Sequence, residues 1–210
     1  MMQTFWLTVL MGSMVVVGVQ ADNAPALAAA SDKPNSASSS NDSNETLRKG
    51  FPIKGAGTLQ LSYPKSWSDS MREVRQSNRP VTMIKLSPGN EQDFAVMLEV
   101  AQVGEDKTRN LDVKAFLTQV GKMELPHAVE KSIDIQELNG PEVNGAYFTV
   151  TDKKFTAGMP QPGEYKYLTQ GYAKLKGLVI TFRVVSNRPE GAGKATALDM
   201  VRSARLLTDL

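Results

Sequence analysis

Apolar and polar positions alternate at the start of the folded part of this chain. Leu59, Leu61 and Tyr63 are interleaved with Thr58, Gln60 and Ser62, and Pro64 ends the run. A period of two predicts a half-buried strand, and Lys65 and Ser66 then form a turn that delivers Trp67. Residues 70–76 fit a short strand or a helical turn; they carry no apolar face of helical period, which favours the strand. Arg79-Pro80 breaks the pattern, and residues 81–86 and 94–100 read as two further strands joined by Ser87-Pro88-Gly89-Asn90, a run dense in turn formers. The period then changes. Val113, Phe116, Leu117 and Val120 are spaced i, i+3, i+4, i+7, which places them on one helical face, and Met123 continues the stripe. Asn110 or Asp112 caps this helix and Pro126 ends it.

Residues 130–138 and 143–151 are expected to form a strand pair around Asn139-Gly140-Pro141, followed by an irregular loop over 153–163. The clearest hairpin spans 164–186. A two-residue turn at Lys176-Gly177, with Gly177 taking the positive φ, sets Leu175 opposite Leu178, Ala173 opposite Ile180, Gly171 opposite Phe182 and Thr169 opposite Val184. That face is apolar, and it lays an aromatic ring over a glycine. The other face pairs Lys174 with Val179, Tyr172 with Thr181 and Gln170 with Arg183, an amphipathic and half-covered surface. Residues 194–205 close the domain as a helix turning Ala197, Leu198, Val201 and Ala204 to the sheet. The order β-β-β-β-α-β-β-β-β-α, with connections mostly too short for parallel crossovers, predicts an α+β fold: a mostly antiparallel sheet of about six to eight strands flanked by two main helices.

Ahead of the domain the pattern is of another kind. Residues 5–19 are apolar without a charge before Asp22, about the length of a signal-peptide core and short of a membrane span. We expect a signal peptide over 1–21, cleaved after Ala21, with Ala30 as a second candidate and an uncleaved anchor as a third outcome, because the start lacks Lys and Arg. Residues 22–49 are rich in Ala, Ser and Asn and read as a disordered linker, leaving 50–210 as a single α+β domain. The expected location is outside the cytoplasm, periplasmic or extracellular.

Composition narrows the chemistry. With 41% hydrophobic and 22% charged residues over 210 positions, the chain is globular in character, and a formal charge of +2 gives no pull toward nucleic acid. There is no cysteine, which removes disulfides, thiolate metal sites, a cysteine nucleophile and a thiol-linked lipid anchor.

The opening run Leu59-Gln60-Leu61-Ser62-Tyr63-Pro64-Lys65-Ser66-Trp67, together with Gly171-Tyr172 and Gly177-Leu178 in the late hairpin, resembles the PsbP-like fold shared with Mog-type Ran-binding proteins. The resemblance spans most of residues 51–207 and implies a small antiparallel sheet flanked by helices, as in exported bacterial proteins of that fold. It carries over no functional residue, since members differ in role.

Candidate chemistry is sparse. His127 is the only histidine and follows Pro126 in a loop, so it reads as a surface residue. Gly191-Ala192-Gly193-Lys194-Ala195-Thr196 fails the phosphate-loop pattern, with Arg188 where the first glycine belongs and Ala195 where the hydroxyl belongs, and reads as the start of a helix. Glu91 with Asp93 and Glu105 with Asp106 sit in loops without the ligand ladder of a calcium site. The remaining feature is a basic and aromatic group around the late hairpin: Lys153, Lys154, Tyr165, Lys166, Tyr172, Lys174 and Arg183. Such a group suits contact with an acidic partner, protein or polysaccharide, and equally a solvated face that protects the strands from edge pairing. The expected function is a non-catalytic binding or assembly module of the cell envelope, without a cofactor or metal, meeting another envelope protein and no nucleic acid. The alternatives are an enzyme with a carboxylate or metal site hidden from sequence, and a membrane-anchored structural protein.

Overall fold

A computed structural model describes residues 45–76, 79–88, 94–156, 158, 160–189 and 191–208. The expected signal peptide, most of the expected linker, and Glu91 and Asp93 lie outside the described residues. The fold is α+β, with ten strands and three α-helices among the described residues: β1 (Thr46–Ile53), β2 (Gly57–Pro64), β3 (Trp67–Gln76), β4 (Arg79–Pro88), β5 (Phe94–Gln102), α1 (Glu105–Arg109), α2 (Val113–Glu124), β6 (Gln136–Asn139), β7 (Asn144–Thr151), β8 (Tyr167–Leu175), β9 (Leu178–Ser186), α3 (Ala192–Arg202) and β10 (Arg205–Leu207). Two sheets form, in the orders β1-β2-β10 and β3-β4-β5-β9-β8-β7-β6. Every strand pairing is antiparallel.

Alternation decides which side of each strand is dry. Leu59, Leu61 and Tyr63 of β2 are buried, as their period of two requires, and they share one core with Ile84 and Leu86 of β4, Val96 and Leu98 of β5 and Ile180 and Phe182 of β9. The small sheet and α3 therefore cover one face of the large sheet, with Leu198 and Val201 of α3 in the same core. At the seam, Asp69 of β3 accepts from Lys49 Nζ (2.5 Å) and from the Tyr63 hydroxyl (2.7 Å), tying the two sheets together. Burial works to raise the Asp69 carboxyl, but the hydrogen bonds from Lys49 and Tyr63 outweigh it and hold the group below its ordinary range. Burial, reinforced by that same carboxylate, pushes the Tyr63 phenol well above its usual value.

On the opposite face lies α2. Its start is fixed by Asp112, whose Oδ1 accepts from Ala115 N at 3.0 Å, and its end by a 3-10 turn at Leu125–His127 containing Pro126. Val113, Leu117 and Val120 are buried, but Met123 is 43% exposed and does not continue the stripe. Ten residues at about 100° each leave Met123 roughly 80° around the axis from Val113, on the shoulder of the helix. Phe116 turns its ring edge-on to Tyr172 of β8, centroids 4.4 Å apart.

The late hairpin has the register that its sequence predicts, including Gly171 opposite Phe182 and Tyr172 opposite Thr181. Its turn differs in one respect: the left-handed residue is Lys176, at φ 50. Three other features depart from expectation. Residues 46–49, read as linker, are strand residues of β1 paired with β2. Of the expected 130–138 strand only 136–138 join the ladder, with Asn139 added from the expected turn, because Ile133 leaves it to fill the space over Gly121 of α2, where a Cβ would approach Ile133 Cγ1 to 2.6 Å. Glu105 and Asp106, expected in a loop, open α1, which Thr108 anchors by donating to Lys176 O at 2.6 Å.

Candidate functional site

The seven residues expected to share a surface are distributed over three places. Near the base of the hairpin, Lys153 Nζ donates to Pro126 O (3.1 Å), and Lys154 pairs with Glu164 (2.5 Å) while lying over the Phe155 ring. Tyr165 is half-buried there, and Lys166 Nζ lies 5.8 Å from the Tyr167 ring centroid. At the turn end, Lys174 Nζ donates to Leu111 O (3.0 Å). Arg183 sits midway along β9, half-buried. Tyr172 is buried at 2% exposure, because its side of β8 is the side that α2 covers, so it presents no surface.

Lys174 borders a cleft of about 400 Å³ between the start of α2 and the β6–β7 edge. Its polar groups form a closed chain. Lys114 Nζ pairs with Glu137 Oε1 (2.5 Å), Glu137 Oε2 accepts from Asn139 Nδ2 (3.0 Å), and Asn139 Oδ1 accepts from Asn144 Nδ2 (3.1 Å). Lys114 holds the Glu137 carboxyl below its ordinary range, so it is a poor proton donor at neutral pH. The Asp112 carboxylate is engaged in capping α2. The cleft is thus a seam whose groups satisfy one another.

The large sheet offers a different kind of surface on the side of α2. Antiparallel register places residues there in cross-strand rows. One row runs Arg72, Met83, Glu99, Thr181, Tyr172, Ala146, and the next Ser70, Lys85, Met97, Arg183, Gln170, Phe148. Burial falls along each row: Ala146, Phe148, Gln170 and Tyr172 are covered, Met83, Met97, Glu99 and Arg183 are half-buried, and Lys85 and Arg72 are exposed. The cause is the length of cover, since α2 lies along β7 and β8; on the same side Val81 and Ala95 are buried toward the ends of β4 and β5, so the open part is the middle of these strands, around Met83, Lys85, Met97 and Glu99.

Polar groups at the boundary are incompletely matched. Gln170 Oε1 and the Tyr172 hydroxyl are buried without a hydrogen-bond partner among the described residues. Burial drives the Tyr172 phenol far above its usual range; Thr181, which approaches without closing a hydrogen bond of ordinary geometry, and Arg183 oppose the rise, while Glu99 adds to it. Arg72, Lys85, Glu99 and Arg183 close no ion pair among the described residues. Sequence reasoning identified Arg183 but missed Met83, Met97, Glu99 and Lys85. Their alternation was legible as strands; which side lacked cover depended on where α2 lands.

Among the described residues no group of three or more His, Asp or Glu side chains is placed to hold a metal ion, and no helix is long and apolar enough to cross a membrane. No family model matches the chain, and no curated protein matches it.

Proposed function

We propose that this chain is an exported, non-catalytic binding or assembly module of the cell envelope, and that it makes its contacts through the open half of the large sheet. In this reading residues 1–21 are a signal peptide, the polar stretch after them is a tether, and the domain is a PsbP/Mog-like sandwich in which the small sheet and α3 form one layer and α2 part of another. One observation carries the binding role: a sheet face about four strands wide holds half-buried Met83 and Met97 among charges that have no ion-pair partner among the described residues. Apolar floor bordered by unmatched charge is the composition of a contact surface, where burial supplies affinity and the charges select the partner. The late hairpin contributes β9 and Arg183 to this face, while Lys153, Lys154, Tyr165 and Lys166 lie at the base of the hairpin.

The test is isolation of the native protein from the envelope after photo-cross-linking from position 97, with sequencing of the mature N-terminus. Export and binding together predict a chain beginning at Asp22 and a discrete cross-linked partner. Recovery of an intact, uncross-linked chain from the cytosol would overturn both.

A further inference from the structure

The open face has the dimensions of a seat for one more helix. Strands lie about 4.8 Å apart, so β9, β5, β4 and β3 expose a strip roughly 15 to 20 Å wide, whereas a helix with side chains is about 10 to 12 Å across. Packed helices lie about 8 to 10 Å apart, or two strand spacings. A helix set beside α2, which rests on β7 and β8, therefore comes to lie over β9 and β5. The floor at that position is half-buried and apolar: Met83, Met97, Ala101, Val179 and Val185.

Charge specifies what kind of helix. Four cations, Arg72, Arg79, Lys85 and Arg183, stand on this side of the strip against one carboxylate, Glu99, and Arg72, Lys85, Arg183 and Glu99 close no ion pair among the described residues. Arg183 borders the α2 side and Lys85 and Arg72 the outer side. At the inner border Gln170, directly opposite Arg183, presents a buried carbonyl oxygen without a donor, and the Tyr172 hydroxyl beside it is likewise unmatched. An isolated buried polar group of this kind carries an uncompensated desolvation penalty until something pairs with it.

We infer that this strip receives an amphipathic α-helix of a partner protein, laid beside α2 over β9 and β5, with apolar residues on Met83, Met97 and Val185 and carboxylates along both flanks. This rests on the binding-module reading and names the partner's chemistry. The inner flank pairs a carboxylate with Arg183 and brings a hydrogen-bond donor to Gln170 Oε1. The outer flank answers Lys85 and Arg72.

The experiment uses the full-length chain carrying ¹³C-methyl methionine and three synthetic helical peptides of about 18 residues, five turns. One has a leucine stripe flanked by glutamates, one the same stripe flanked by lysines, and one scrambles the stripe at the same acidic charge. The glutamate-flanked helix is expected to shift the Met83 and Met97 methyl signals and to leave Met71, exposed on the other side of the sheet, unmoved. The double variant Arg183→Glu with Lys85→Glu should lose at least about tenfold in affinity for that peptide and come to prefer the lysine-flanked one. Equal response to all three peptides, shifts at Met71 alone, or no response to any of them overturns the inference. So does the same shift produced by free N-acetylglutamate at equal concentration, which would mark a small-anion site. Envelope cross-links that map to another surface would remove this inference and leave the binding module standing; absence of any cross-linked partner would remove the reading beneath it.

Discussion

Substituting Gly171 tests whether Phe182 lies over bare backbone. An added Cβ would come within 2.6 and 2.7 Å of Phe182 Cε1 and Cε2, and nearer still to Cζ. Phe182 is fully buried, so the ring cannot retreat to solvent and must displace its neighbours. Overpacking of this kind costs about 1 to 3 kcal/mol, offset by about 0.4 to 1 kcal/mol from the stiffer unfolded chain. Gly171→Ala should therefore destabilise by about 1 to 2 kcal/mol. Phe182→Ala should cost about 3 to 5 kcal/mol through lost burial and the cavity left behind. With the ring gone the added methyl has room, so the glycine substitution should become neutral or gain the unfolded-state term. The double variant is then milder than the sum of the singles by about 1 to 3 kcal/mol. Urea unfolding followed by circular dichroism, with unchanged m-values, measures the cycle. Phe182→Leu replaces Phe182→Ala if the larger change leaves no folded baseline. Additivity within about 0.5 kcal/mol would refute the argument.

Asp69→Asn removes the charge that holds Lys49 across the seam and should cost about 1 to 2 kcal/mol at neutral pH. Because the folded-state carboxyl is held low, that difference should be full above the unfolded value of about 4 and shrink as pH falls through the folded one; a difference that stays constant from pH 7 to 3 would contradict the linkage. Tyr172→Phe deletes an unmatched hydroxyl and should leave stability unchanged or raise it by up to about 1 kcal/mol, whereas Tyr63→Phe deprives Asp69 of a donor and should cost about 1 to 2 kcal/mol. A Tyr172→Phe protein that is markedly less stable would show that the hydroxyl has a partner after all. Asp112→Ala should lower the denaturation midpoint by the worth of one helix cap, about 1 kcal/mol, and Asp112→Thr should restore most of it; no change in the alanine variant would mean the cap contributes nothing.

Strands whose two sides differ in polarity were legible in the sequence, and so was the hairpin, because the fixed period of side-chain alternation leaves one register that keeps Leu175, Ala173, Gly171 and Thr169 on the dry face. β1 was not. Its first five residues are exposed and only Phe51 and Ile53 are buried, so its pattern is that of a polar tail until β2 is there to pair with it. β10 is three residues long, too short for any period to show. The candidate surface was harder still. Tyr172 and Arg183 belong to the same face of neighbouring strands by sequence, yet α2 buries the first and stops before the second. Lys154 and Lys174 look equivalent on charge alone, but one is paired with Glu164 and the other is committed to the Leu111 carbonyl.

Because β2 has β1 on one side and β10 on the other, the small sheet joins segments from nearly opposite ends of the folded chain. During synthesis, the strand at residues 57–64 waits for residue 205 before its second edge is closed. Completion of this layer therefore waits for β10, so a nascent chain arrested before residue 205 would hold β2 with one edge open, and a chaperone that recognises open β-edges would have its substrate there.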